Sequence, residues 1–93
     1  MAELNIVQQH ALSRDAARTA AEQVAQRLAA EFGLACRWDG DVLRFERSGV
    51  DGDLRLEGQS AALRIRLGML MSAFAPAIEA KVTEKMRKVF APA

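Results

Sequence analysis

Residues 36–67, CRWDGDVLRFERSGVDGDLRLEGQSAALRIRL, decide the fold. Apolar and charged residues alternate through four segments of this stretch, and turn residues separate the segments. Because side chains of a strand alternate between its two faces, each segment predicts a strand with one buried and one hydrated face. Such strands are typical of an antiparallel sheet that is covered on one side.

Two of the four predicted strands are joined by Asp39-Gly40. Asp-Gly favours a two-residue hairpin, because a type I′ turn needs a positive φ at both central residues. Gly52 falls on an inward position and indicates either a bulge or a place where a helix lies close. The predicted inward residues, strand by strand, are Cys36 and Trp38; Leu43 and Phe45; Val50, Gly52, Leu54 and Leu56; Leu63, Ile65 and Leu67.

A first strand at residues 4–8 and a helix over residues 13–32 precede this stretch. Ser13 is a suitable N-cap, and Gly33 can take the left-handed conformation that often follows a helix. Small and apolar residues at spacings of three and four predict a buried stripe on this helix. The stripe consists of Ala17, Ala20, Ala21, Val24, Leu28 and Phe32.

A second helix follows the last strand. It is predicted to start between Ser72 and Ala75 and to run to about Phe90, because Pro76 is tolerated only in a first helical turn. Its predicted buried stripe is Ile78, Val82, Met86 and Val89. The order of elements predicts a single α+β domain over residues 1–93: a five-stranded, mostly antiparallel curved sheet with two helices packed on one face.

Composition and charge narrow the possible functions. Thirteen basic and twelve acidic residues give a net charge of +1, which is not the excess expected of a nucleic-acid-binding protein. One Cys and one His argue against a disulfide, a metal site and a cofactor. We therefore expect a protein without enzymatic activity.

Targeting and membrane signals are missing from the sequence. The N-terminal residues lack the basic and apolar regions of a signal peptide. The longest uncharged stretch, residues 67–78, is shorter than the roughly 20 apolar residues that a membrane-spanning helix needs. With its single cysteine, the chain is expected to be cytoplasmic.

Two polar features are candidate sites. His10 can act as a base or a ligand, but a structural histidine at the junction of strand and helix is the favoured interpretation. The hydrated sheet face can hold an anion through its arginines, or these can simply pair with neighbouring acids, which is favoured. The candidate arginine face is Arg37, Arg44, Arg55, Arg64 and Arg66.

A third candidate is an apolar segment beside a basic helix face. Met69, Leu70, Met71 and Phe74 can form a docking patch or a lipid-surface contact, or they can close the end of the core, which the sequence favours. On the second helix, Lys81, Lys85 and Lys88 can attract an anionic surface or form an ordinary hydrated face, which is the default.

The chain resembles the polyhydroxyalkanoic acid system family, small bacterial proteins whose genes lie near polyhydroxyalkanoate granule genes. Two departures from the family pattern are Ala11 and the Ala-Pro-Ala at residues 75–77. The most specific matching segments are residues 47–52 and the hairpin around Trp38. The full set of matching residues is 10–13, 16–17, 32–34, 37–38, 40, 45–52, 67–70 and 78–79.

This resemblance implies a cytoplasmic accessory protein of polyhydroxyalkanoate storage, acting at the granule surface or on a granule protein. It supplies no catalytic mechanism. The alternative is a general protein-interaction or homodimerisation module that has no direct role with the polyester. The sequence leaves open the ligand, the oligomeric state and whether contact with the granule is direct.

Overall fold

The computed structural model describes residues 2–90 and has the predicted order of strand, helix, four strands and helix. Its elements are β1 (Ala2–Gln9), α1 (Arg14–Phe32), β2 (Ala35–Asp39), β3 (Val42–Arg47), β4 (Val50–Glu57), β5 (Ser60–Leu67), a 3₁₀ turn (Ser72–Phe74) and α2 (Ala75–Phe90). The strand β1 is therefore longer than the predicted residues 4–8. The α+β class and the element order are confirmed.

The five strands form one open sheet in the order β1-β5-β4-β3-β2, and all four neighbouring pairs are antiparallel. Because β1 pairs with β5, the first and last strands of the sequence lie side by side. The edges of the sheet are β1 and β2. Besides its neighbour in the sheet, β1 contacts α2, and β2 contacts α1.

Both helices cover the apolar face of the sheet, and their buried side chains join those of the strands in one core. Ser13 caps α1 through its hydroxyl, which accepts from the Ala16 amide, and Gly33 ends the helix at a φ of 68°. The predicted stripe of α1 is buried except for Phe32, which is half-buried. In α2 the fourth buried residue is Phe90 and not Val89, because Phe90 completes the spacing of four from Met86.

The hairpin turn lies one residue later than predicted. Asp39 pairs with Val42, so the two loop residues are Gly40 and Asp41. Only Gly40 has a positive φ, at 63°, which is the pattern of a type II′ turn and not of type I′. The Asp41 carboxylate accepts hydrogen bonds from Arg14 and Arg18 of α1, which stabilise Asp41 in the loop.

Of the two roles predicted for Gly52, the structure excludes a bulge. Gly52 pairs in an unbroken register with Phe45 on one side and Ile65 on the other. A Cβ at this position would lie 2.3 Å from the carbonyl oxygen of Arg64. The glycine is therefore required by the backbone of the neighbouring strand β5.

Candidate functional site

Three large apolar side chains project from the turn between β5 and α2. Met69 is 84% exposed, Leu70 90% and Phe74 54%. We call these three residues the apolar tip. Met71, the fourth residue of the predicted segment, is half-buried and packs against the core. The sequence favoured closure of the core for all four residues, and the structure bears this out for Met71 alone.

The backbone holds the apolar tip in a fixed turn. The Gly68 carbonyl accepts from the amides of Met71 and Ser72 at 3.1 and 3.0 Å and from the Ser72 hydroxyl at 2.9 Å. The Gly68 amide donates to Gly49 at 2.7 Å and ties the turn to the loop between β3 and β4. Because these bonds fix the backbone, Met69 and Leu70 lie at the outer end of an ordered structure.

The candidate lysines lie along α2 and are partly neutralised. Lys81 pairs with Glu31 of α1 at 3.4 Å, and Lys88 pairs with Glu84 at 3.1 Å. The hydrogen bond from Lys88, and then its charge, lower the pKa of Glu84 below its ordinary value. Lys85 is half-buried. At about 1.5 Å per residue, Lys88 lies roughly 20 Å along the axis from the start of α2, far from the apolar tip.

All five candidate arginines are exposed on the hydrated sheet face, as predicted. The register arranges this face in rows across the strands. The central row is Arg37, Arg44, Asp53, Arg64 and Asn5, and the adjacent row is Ala35, Glu46, Asp51, Arg66 and Glu3. Basic charge is therefore concentrated in one row and acidic charge in the next, and the two rows line a shallow depression of about 310 Å³.

Asp53 is an internal counter-ion of this face. Its side chain is only 8% exposed although it lies on the hydrated side, and it pairs with Arg55 at 3.4 Å and Arg64 at 3.5 Å. It also lies opposite Arg44 in the ladder. Since Asp53 already occupies the position where these arginines converge, the geometry favours pairing within the sheet over binding of an external anion.

Arg37 differs from the other arginines of the face. Within residues 2–90 it has no acidic partner in the structure, whereas Arg44, Arg55, Arg64 and Arg66 each have one. It also lies directly opposite Arg44, an arrangement of like charges that destabilises a pair of strands. Among residues 2–90, Arg37 is thus an exposed arginine at the edge of the sheet that forms no ion pair.

A groove runs between α1 and the edge strand β2. It has a volume of about 370 Å³, and its walls include Ala25 and Ala29 of α1 and Cys36 and Trp38 of β2. The Arg18 guanidinium stacks on Trp38, 4.0 Å from the centre of its ring. Burial raises the pKa of the Cys36 thiol, so the thiolate is disfavoured in this groove.

His10 has a packing role in the described structure. Its ring is buried and lies 5.2 Å from that of Phe90, and Nδ1 accepts from the Leu12 amide at 3.1 Å. Within residues 2–90, Nε2 has no hydrogen-bond partner, so only one ring nitrogen is satisfied there. The same part of the chain contains no cluster of three potential metal ligands and no helix that is long and apolar enough to span a membrane.

The chain was compared with known protein families. A family model for a polyhydroxyalkanoic acid system protein (PHA_gran_rgn) matches residues 4–90, which cover all the described elements except the first two residues of β1. The chain belongs to this family. The comparison with curated proteins gives no match. The matched region contains the apolar tip, the arginine face and the groove beside β2.

The sequence did not reveal several residues that organise these surfaces. Arg14 and Arg18 of α1 both reach the hairpin turn at Asp41, a contact that the spacing of residues in the sequence does not predict. The only available signal was the acid beside Gly40. The charge rows could not be predicted, because they depend on which residues of neighbouring strands lie opposite each other.

Proposed function

We propose that this chain is a non-enzymatic accessory protein of polyhydroxyalkanoate storage that attaches to the granule surface in the cytoplasm through the apolar tip. The observation that carries the proposal is the exposure of Met69, Leu70 and Phe74 in an ordered turn. Exposed apolar patches of this kind mark interaction sites in soluble proteins. Membership of the polyhydroxyalkanoic acid system family supports the polyester granule as the surface concerned.

The exposed apolar tip can contribute a substantial part of the free energy of attachment. The exposed fractions of its three residues amount to about two complete side chains. Burying a complete side chain of this size contributes about 1.5–3 kcal/mol, so full burial gives at most about 3–6 kcal/mol before the cost of association. Attachment through this turn loses little conformational entropy, because its backbone is already fixed by hydrogen bonds.

The lysines of α2 have a secondary role in this proposal. Lys81 and Lys88 already pair with acids of the same chain, and Lys88 lies at the far end of the helix. A polyester carries ester groups and no charges along its chain, so attachment to it does not require cations. Binding is therefore expected to be nearly insensitive to salt.

Co-sedimentation with polyhydroxyalkanoate particles freed of protein tests the proposal. Wild type is expected to sediment with the particles, and a Leu70→Asp/Phe74→Asp variant is expected to remain in the supernatant. Val7→Asp is the matched control, because Val7 is also an exposed apolar residue but lies in β1, away from the tip. Equal recovery of wild type and the double variant would exclude the tip from attachment.

The same variants address the alternative of a general interaction or homodimerisation module. Sedimentation with native granules but not with bare particles would place the contact on a granule protein. Light scattering of wild type and of the Leu70→Asp/Phe74→Asp variant tests dimerisation. A stable dimer that the double substitution dissociates would favour the alternative over attachment to the polyester.

A further inference from the structure

We infer that β2 is a docking edge for an extended segment of another protein, one that carries an acidic residue between two small apolar residues. Extended segments bind to exposed sheet edges by adding a strand, with main-chain hydrogen bonds giving affinity and side-chain sites giving specificity. This surface is separate from the apolar tip and does not depend on the proposed attachment to granules. Three properties of β2 support the inference.

The first property is an unused set of backbone hydrogen-bonding groups. Asp39 and Val42 close a two-residue hairpin, so they form a hydrogen-bonded pair. Along the two strands away from this turn, hydrogen-bonded pairs then alternate with pairs that are not hydrogen-bonded to each other. The intervening residues Cys36 and Trp38 therefore direct their amide and carbonyl groups away from β3. Within residues 2–90 no backbone group bonds to them from this outer side.

The second property is the groove on the inner side of this edge. Residues of an added strand that lie opposite Cys36 and Trp38 would point toward α1, on the same side as these two side chains. There they would enter the 370 Å³ groove, beside Ala25 and Ala29. Glu22 and Gln26 also line the groove, but most of its surface is apolar, so it accommodates small apolar side chains.

The third property is the charge of Arg37 on the outer side. Arg37 has no acidic partner within residues 2–90 and is repelled by Arg44 opposite it. A residue of an added strand opposite Arg37 would lie beside its guanidinium on the hydrated face. A carboxylate there would compensate the charge that the sheet itself leaves unpaired.

This charge disfavours a second copy of the chain as the occupant. An antiparallel pairing that overlaps all five residues of β2 with the same strand of a second copy places Arg37 against its own equivalent. Like charges opposite each other destabilise such a ladder, and natural sheets use charged edge residues to prevent self-pairing. The geometry therefore favours a partner with acidic character.

Fluorescence titration of the full chain with two blocked seven-residue peptides tests the inference. The first peptide is Val-Thr-Val-Glu-Val-Thr-Val, in which two valines flank the central glutamate. The second peptide has lysine in place of this glutamate. Trp38 is the only tryptophan in the chain, so its emission reports the groove directly. The glutamate peptide is expected to bind about two- to thirtyfold more tightly, because one central pair changes from attractive to repulsive.

Three variants sharpen the test. Arg37→Glu should reverse the preference between the peptides, while Arg87→Glu, the same charge change on an exposed part of α2, should leave it unchanged. Cys36→Pro should abolish binding of both, because proline removes an outward amide and is tolerated on an edge strand. Hydrogen exchange gives a second measurement: the glutamate peptide should slow the Cys36 and Trp38 amides but not the Arg37 amide.

Several results would overturn the inference. Equal affinity for the two peptides, or tighter binding of the lysine peptide to wild type, would remove the role of Arg37. Failure of the glutamate peptide to change Trp38 emission or amide exchange at millimolar concentration would remove the docking edge. Self-association that Cys36→Pro abolishes would identify a second copy as the occupant instead. The Leu70→Asp/Phe74→Asp variant should keep peptide binding, which separates this inference from the proposed function.

Discussion

Among alanine substitutions at the six glycines of this chain, Gly52→Ala is expected to destabilise the protein most. The new Cβ would lie 2.3 Å from the carbonyl oxygen of Arg64 and 3.0 Å from the Cα of Ile65, whereas ordinary contact begins at about 3.4 Å. Both obstructing atoms belong to the backbone of β5, so relief requires one strand to move by about 1 Å. Overpacking of this kind costs about 1–3 kcal/mol or more, and we expect the upper end for Gly52→Ala.

The Gly58→Ala variant is the control for this prediction. A Cβ there meets nothing within 4 Å, and its φ of 58° makes alanine cost about 1–2 kcal/mol through backbone strain alone. Urea unfolding monitored by Trp38 fluorescence measures both variants. Without the clash, alanine in a strand would stabilise by about 0.5–1 kcal/mol relative to glycine. A Gly52→Ala variant as stable as Gly58→Ala, or more so, would refute the reasoning.

Three further predictions concern stability and reactivity. Asp53→Asn should cost about 1–2 kcal/mol in urea unfolding because two arginines lose a buried partner, while Asp51→Asn, which removes an exposed pair, should cost less than about 1 kcal/mol. Ser13→Ala should lower the free energy of unfolding by about 1 kcal/mol through loss of the N-cap; no change would exclude the cap. Burial raises the pKa of Cys36 above 9.0, so the folded state holds this proton more tightly than the unfolded state. The stability of wild type relative to Cys36→Ala should therefore decline as pH rises above about 9.0, and thiol-specific reagents should react with folded wild type more slowly than with an exposed cysteine.

The apolar tip shows why prediction of the site was incomplete. For the four apolar residues at 69–71 and 74, the sequence favoured a place in the core over a contact surface. Which of these residues is buried depends on the Gly68 carbonyl. It accepts three hydrogen bonds and orients the turn so that only Met71 reaches the core. No periodicity in the sequence reports such a bend, because it arises from contact between two loops.

Local patterns of residues were enough to predict the secondary-structure elements and the buried face of each. Alternation in residues 36–67 gave the inward and outward sides of four strands, since the side-chain period of a strand is fixed at two. Ser13 and Gly33 marked the ends of α1 because capping depends on local backbone geometry. These features depend on residues that are close in the chain, so a sequence pattern is enough to reveal them.

Long-range packing determines which residues of neighbouring strands lie opposite each other. Cross-strand partners such as Asp53 and Arg64 are far apart in the sequence, and a shift of register would change every pair. The pairing of β1 with β5 likewise leaves β2 as an edge, where Arg37 remains without a partner among residues 2–90. Both surfaces that we assign to partners, the apolar tip and the β2 edge, exist because long-range packing leaves these particular groups uncovered.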